Sequence, residues 1–172
     1  LCEFKYKAYD TLFEKLGNQF DLYGYMWDQS FISWFLKFIR GTKSKYFLNL
    51  PPYYQGSVKE KNKILSKYKF CLTIENMSEN SFITEKIFNA IYAGCVPIYI
   101  GAKNISQYIP SECFINFREF DDWSKLCKFL INFSVDDYEN FLFNRDKFLK
   151  SNEYKSFTSK SFSRILTSTI SR

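Results

Sequence analysis

Tyr68 to Gly101 reads YKFCLTIENMSENSFITEKIFNAIYAGCVPIYIG, and this stretch decides the fold. It opens on Phe70-Cys71-Leu72-Thr73-Ile74, a short apolar run of the kind that forms a strand buried on both faces of a parallel sheet. A loop from Glu75 to Ser81 follows, and the spacing of Ile83, Ile87, Ala90 and Ile91 predicts a helix from Phe82 to Ala93. Gly94 is a helix stop, and Val96-Pro97-Ile98-Tyr99-Ile100 is the next strand, closed by Gly101. Strand, helix, strand at this length is a parallel crossover unit. The expected class is therefore α/β, a Rossmann-like parallel sheet with helices on both faces.

Outward from that unit the pattern continues. Phe4, Ala8, Leu12, Phe13 and Leu16 predict a helix from Glu3 to Leu16, stopped at Gly17-Asn18, and Phe20 to Tyr23 reads as a short strand. Ser30 to Arg40 is apolar on almost every side, as in a buried helix. Val58, Ile64 and Leu65 predict a one-sided helix over the Lys-rich stretch from Ser57 to Tyr68. Downstream, a strand is expected at Phe114 to Phe117, and helices at Trp123 to Phe133, Asp136 to Leu149 and Tyr154 to Ile170.

Composition bounds the chemistry. The 172 residues include 20 Phe, 13 Tyr and 3 Trp but no histidine. A Ser-His-Asp or Cys-His nucleophile pair, a His-ligated zinc and a facial-triad iron are thereby excluded within this chain. Carboxylates, lysines, hydroxyls and backbone amides must carry any reaction. Cys2, Cys71, Cys95, Cys113 and Cys127 contain no CxxC pair and are odd in number, which favours buried reduced thiols and a reducing compartment. The net charge of +6 suits an anionic partner and equally suits simple solubility. No apolar run approaches the roughly 20 residues that span a bilayer. The chain begins at Leu1 without a Met, so further residues are expected upstream.

In an open parallel sheet, ligands sit beyond the carboxyl ends of the strands. Glu75 to Lys86 occupies such a place, with Thr84, Glu85 and Lys86 in the opening turn of a helix, where free amides and the dipole attract phosphate. Lys86 adds a charge against a diphosphate, and Glu85 is the residue type that grips ribose hydroxyls. The same three residues also make an ordinary solvated helix start. Glu75 and Glu85 could face one cleft as a carboxylate pair, as in glycosidases, or Glu75 could accept local backbone amides and shape the turn. A separate reading sets Lys59, Lys61, Lys63, Lys67 and Lys69 beside Tyr53, Tyr54 and Tyr68 as a nucleic-acid stacking surface. The aromatics lie mostly at core spacing, and no RRM-like or OB-like signature accompanies them, so no nucleic-acid partner is expected.

Three linked motifs carry a family resemblance. Tyr68 to Asn76, Phe82 to Ile87 and Ala93 to Gly101 resemble, in order and spacing, the signature block of the α-1,3/1,4-fucosyltransferases, glycosyltransferase family 10. Weaker echoes lie at Asp21 to Gly24, at Lys59 to Lys61, at Ser111 to Asn116 and at Phe120-Asp121. The resemblance implies the C-terminal, donor-binding half of a two-domain glycosyltransferase B fold. Residues 1–150 would form the GDP-fucose-binding domain, 151–172 a C-terminal helix packed on it, and the N-terminal acceptor domain would lie outside the chain. By the same resemblance, Lys86 meets the diphosphate and Glu85 the ribose, while Glu75, Asn76 and Thr84 line the nucleotide and fucose side of the cleft. Phe82 stands where the family usually has Tyr, and Ile74 where its strand ends in Phe. Lys5 matches a family Arg that faces the phosphates, keeping the charge and losing the bidentate fork.

The implied activity is inverting transfer of L-fucose from GDP-fucose to a glycan hydroxyl in α-1,3 or α-1,4 linkage. The implied acceptor is a galactoside or an N-acetylglucosamine-containing glycan. The catalytic base is expected in the acceptor domain, so the chain alone should bind GDP or GDP-fucose and turn over poorly. No cofactor or metal site is expected, with divalent metal at most a stimulant. Peripheral membrane contact through the Lys-rich face, and a cytoplasmic or inner-membrane location in bacteria or a Golgi membrane in eukaryotes, complete the expectation. Another sugar nucleotide on the same architecture is the alternative.

Overall fold

The computed structural model describes residues 2–24, 51–158 and 167. Two compact units divide the chain, residues 1–61 and 62–172. The first holds helix α1 (Cys2–Leu16), whose Ala8 and Leu12 are buried at helical spacing. Gly17, at φ 56°, turns the chain out of it into a single 3₁₀ turn. The expected strand at Phe20 to Tyr23 is reduced to one parallel bridge, Leu22 to Tyr54. Leu22 N–H donates to Tyr53 O at 2.7 Å, and Gln55 N–H to Leu22 O at 2.9 Å. Pro51 and Pro52 precede that bridge without amide protons, so the ladder cannot grow toward them. The expected helix at Ser30 to Arg40 lies outside the described residues.

The second unit is built on a parallel sheet of order β1-β2-β3. Strand β1 (Phe70–Ile74) and strand β2 (Val96–Ile100) fall where the apolar runs place them, with Phe70 opposite Val96 and Ile74 opposite Ile100. Val96 and Ile98 point to one face of β2, Pro97 and Tyr99 to the other, and all four are buried. A central strand covered on both faces is what the unbroken apolar run implied. Strand β3 (Ile115–Asn116) is shorter than expected, because the 3₁₀ turns Ser111–Cys113 and Phe117–Glu119 close in on either side.

Between the segments run helix α2 (Lys61–Leu65), α3 (Glu85–Ala93), α4 (Trp123–Asn132), α5 (Val135–Lys150) and α6 (Asn152–Ser156). Helix α2 is much shorter than the expected Ser57 to Tyr68. It buries no residue, and repeated lysines give a longer helix no apolar face to hold it. Helix α3 ends as expected at Gly94, which takes φ 78°. Its start, however, is Glu85 and not Phe82, for a reason that belongs to the site. Of the third expected C-terminal helix, α6 ends at Ser156 and Phe157-Thr158 are turn and bend; Thr167 is helical, and residues 159–166 and 168–170 lie outside the described residues.

The core joins α3, β2, the segment after β2 and α5. Ile87, Ile91, Tyr99, Ile105, Ile109, Cys113, Phe114 and Phe148 form one buried cluster. Each large apolar side chain buried there contributes about 1.5–3 kcal/mol. Aromatic residues fill this and neighbouring layers edge to face, as Tyr99 does against Phe114 at 6.0 Å and Phe70 against Phe133 at 5.2 Å. Lys69 is absorbed in the same way. Its ammonium donates to Phe133 O at 2.8 Å and Ser134 O at 3.2 Å, beyond the end of α4, and sits 4.9 Å over the Phe133 ring. Tyr53 is buried and donates to Asp10, so these two members of the supposed stacking surface have structural work.

Cys71, Cys95, Cys113 and Cys127 are unbridged thiols. The Cys71 thiol beside it, together with burial, pushes Cys95 far above the ordinary thiol range, and burial lifts Cys113 to about 11.

Helix α5 opens on a capping box in which Ser134 Oγ accepts from Asp137 N–H at 3.0 Å and Asp137 accepts from Ser134 N–H at 2.8 Å. The hydrogen bonds from the Ser134 hydroxyl and amide hold the Asp137 carboxyl below its ordinary value. A carboxyl depressed on folding contributes stability above its unfolded pKa, and that contribution disappears as pH falls through the folded value. Asp137→Asn should therefore lower the melting temperature at pH 7, and the gap to the parent chain should close as melts are taken toward pH 3. An unchanged gap across that range would refute the assignment.

Candidate functional site

The site begins where β1 ends. Glu75 N–H donates to Ile100 O at 2.8 Å, which extends the ladder by one bond and aims the Glu75 side chain into the protein. That residue is only 2% exposed. A buried carboxylate must be fully partnered. Its Oε1 accepts from Thr84 N–H at 2.9 Å and its Oε2 from the Thr84 hydroxyl at 2.7 Å. Lys86 Nζ lies 3.5 Å from the same Oε2, then donates to Ile74 O at 2.8 Å and Asn76 Oδ1 at 3.2 Å. One ammonium thus ties the end of β1, the first two loop residues and the start of α3 into a single knot.

This knot sets the helix start. Thr84 is extended, with φ −107° and ψ −179°, and its hydroxyl accepts a long bond from Lys86 N–H at 3.5 Å. Held by Glu75 at both its amide and its hydroxyl, Thr84 stays extended and caps the helix, so Phe82 and Ile83 stay in the loop. Of the two readings open for Glu75, the turn-shaping one describes its geometry. A glycosidase-like pair is not what forms, since Glu75 is buried under Thr84 while Glu85 lies exposed on the first turn of α3.

The sequence-predicted residues therefore divide. Glu75, Asn76, Thr84 and Lys86 meet, and Glu85 follows directly on the helix. Phe82 is half-buried in the loop, its N–H donating to Glu79 O at 3.2 Å. Lys5 is a half-buried residue of α1, in the first unit.

Several residues of the site went unread in the sequence. Ser81, at φ 63°, holds a left-handed conformation that a non-glycine residue adopts at a cost. It is pinned from the segment after β2, where Asn104 Oδ1 accepts from Ser81 N–H at 2.8 Å and Tyr108 shares a 2.7 Å bond with the Ser81 hydroxyl. Beneath lies Gly101, where a Cβ would come within 2.4 Å of Tyr99 Oη and 2.6 Å of Glu75 Cγ. Tyr99 Oη in turn accepts from Ala102 N–H at 3.0 Å, and burial raises its pKa. Beyond β3, Arg118 donates to Gly101 O at 3.1 Å. Gly101 had a sequence signal, a glycine closing a strand; Ser81 and Arg118 act through neighbours far along the chain.

Among the described residues, no His, Cys, Asp and Glu group is placed to hold a metal ion, and no helix is long and apolar enough to cross a membrane.

Comparison with known proteins gives a consistent answer. The chain is 39% identical over 66 residues to an Alpha-(1,4)-fucosyltransferase of Arabidopsis thaliana, an alignment covering 38% of this chain and 16% of that protein. It is 42% identical over 77 residues to the 4-galactosyl-N-acetylglucosaminide 3-alpha-L-fucosyltransferase 9 of Mus musculus, covering 42% of this chain and 21% of that one. The matches thus span about a fifth of these relatives' length. Among solved structures, an alpha1,3-fucosyltransferase with GDP-fucose aligns with a TM-score of 0.48 and 28% identity, over 56% of this chain and 28% of that one. The family described as glycosyltransferase family 10 (fucosyltransferase) C-term matches residues 14–166, which is most of the chain, and the chain belongs to that family.

Proposed function

We propose that this chain is the donor-binding part of a fucosyltransferase, holding GDP-fucose while L-fucose passes with inversion to a glycan hydroxyl in α-1,3 or α-1,4 linkage. The observation that carries the reading is the locked start of α3 at the carboxyl end of β1, where Thr84, Glu85 and Lys86 are held by the buried Glu75. In this reading residues 1–150 form the donor domain and 151–172 pack on it. The helix dipole and Lys86 meet the diphosphate, Glu85 binds the ribose, and Asn76, Thr84 and Phe82 line the cleft. Glu75 acts through Thr84 and Lys86.

Transfer passes through an oxocarbenium-like state while the GDP leaving group gathers negative charge. Fixed amides and cations stabilise that charge without rearranging at the moment of reaction. The acceptor in this reading is a galactoside or an N-acetylglucosamine-containing glycan, which the name of the mouse relative supports. Peripheral membrane contact belongs to the same proposal.

Thermal melts with GDP, UDP and ADP test the donor class. A ligand at a hundredfold its Kd stabilises the native state by about 2.7 kcal/mol, which raises Tm by about 5–10 °C for a chain of this size. GDP should give that rise, and UDP and ADP about 1 °C or less at equal concentration. Equal shifts with UDP or ADP would replace guanine selectivity with another sugar nucleotide.

A further inference from the structure

Lys86 is a poor candidate to carry the whole electrostatic load of a diphosphate. Its ammonium has three protons; two are donated to Ile74 O and Asn76 Oδ1, and the third side faces the buried Glu75 carboxylate at 3.5 Å. That carboxylate offsets the ammonium charge. A diphosphate carries more than one negative charge, so a second fixed cation is needed at the carboxyl edge of the sheet.

Two residues of the second unit stand there. Lys103 follows Ala102 and is exposed, and no hydrogen bond among the described residues fixes its ammonium. Arg118 is built in. Asn116, paired with Tyr99 in the sheet, accepts from Arg118 N–H at 3.2 Å and so fixes the backbone two residues beyond β3. One guanidinium nitrogen then donates at 3.1 Å to the carbonyl of Gly101, the residue that packs on Glu75 and Tyr99. Among the described residues no carboxylate forms an ion pair with Arg118. Its charge is unneutralised, and the remaining N–H groups of its rigid fork are directed by an anchor already made.

We propose that Arg118 is a second, open contact for the diphosphate, complementing the partly neutralised Lys86. The inference rests on the donor-binding reading above. It assigns the loop after β3 to the site and explains why a guanidinium is clamped to a strand-end carbonyl without a carboxylate partner.

Titration calorimetry on the full chain separates the outcomes, with GDP and guanosine as probes and Arg118→Gln, Arg118→Lys and Lys103→Gln as variants. Losing one charge-assisted contact weakens binding by about tenfold to a hundredfold. Arg118→Gln should lose that much for GDP and less than twofold for guanosine. Arg118→Lys should recover part of the GDP affinity, and Lys103→Gln should stay within about twofold. Arg118→Gln that binds GDP like the parent chain overturns the inference and leaves the donor reading standing. Equal losses for GDP and guanosine with a lowered melting temperature also overturn it, since that is the signature of a structural clamp. No GDP binding by the parent chain overturns the donor reading and this inference with it.

Discussion

Lys86→Ala is expected to lower the melting temperature by about 6–12 °C and to remove measurable GDP binding. The Glu75 side chain is wholly buried and the Lys86 side chain is 27% exposed. Removing the lysine leaves a buried carboxylate with no counter-charge, and Ile74 O and Asn76 Oδ1 lose a donor. Breaking a buried pair from one side costs about 3–5 kcal/mol, and partial exposure of Lys86 puts this case near 3. At about 2–4 °C per kcal/mol for a chain of this size, the shift follows. The double variant Glu75→Gln with Lys86→Met removes both charges and keeps the approximate volumes. It should recover most of the lost stability and none of the GDP affinity, because the fold needs a balanced knot whereas the ligand needs the cation. A Lys86→Ala chain melting within about 2 °C of the parent would show that the knot does not hold the loop.

Gly101→Ala should be nearly as damaging, although it adds a single methyl group. The new carbon would lie 2.4 Å from Tyr99 Oη and 2.6 Å from both Tyr99 Cζ and Glu75 Cγ. None of these atoms is the free end of a flexible chain. Tyr99 is buried in the core cluster and its hydroxyl accepts from Ala102 N–H, while Glu75 is held by Thr84 and Lys86. Overpacking of this kind costs about 1–3 kcal/mol. The strain falls on the two groups that set the loop, so GDP affinity should fall by more than tenfold together with a Tm loss of about 3–10 °C. Calorimetry and thermal melts on one preparation check both, and Gly56→Ala, where no atom lies within 4 Å of the added carbon, is the contrasting variant. Gly56 takes φ 91°, so that variant measures backbone strain without crowding. Unchanged GDP affinity in Gly101→Ala would remove the mechanical link between strand end and loop.

Strands β1 and β2 were legible because each is a five-residue, largely apolar run, and β2, the middle strand, is buried on both faces from Val96 to Tyr99. The end of α3 was legible for an equally local reason, a glycine free to take φ 78°. Its start was not. Periodicity carried the helix back to Phe82, since Ile83 fits the apolar face, but a carboxylate nine residues upstream holds Thr84 extended as the cap. The lysine-rich segment failed in the opposite way: its spacing matched a helix, yet the structure buries nothing there to stabilise more than Lys61–Leu65.

The sequence by itself determined the α/β crossover, the family motifs and the residue types at the site, because each is written in contiguous residues and their spacing. It did not determine which partner each side chain takes. Glu75 could serve as a cleft carboxylate or a turn anchor, and burial under Thr84 and Lys86 decided it. Arg118 and Gly101 carried little signal as letters. Their meaning comes from parallel pairing, which brings the ends of β1, β2 and β3 side by side although they are far apart along the chain, so that one strand's carbonyl anchors another's arginine.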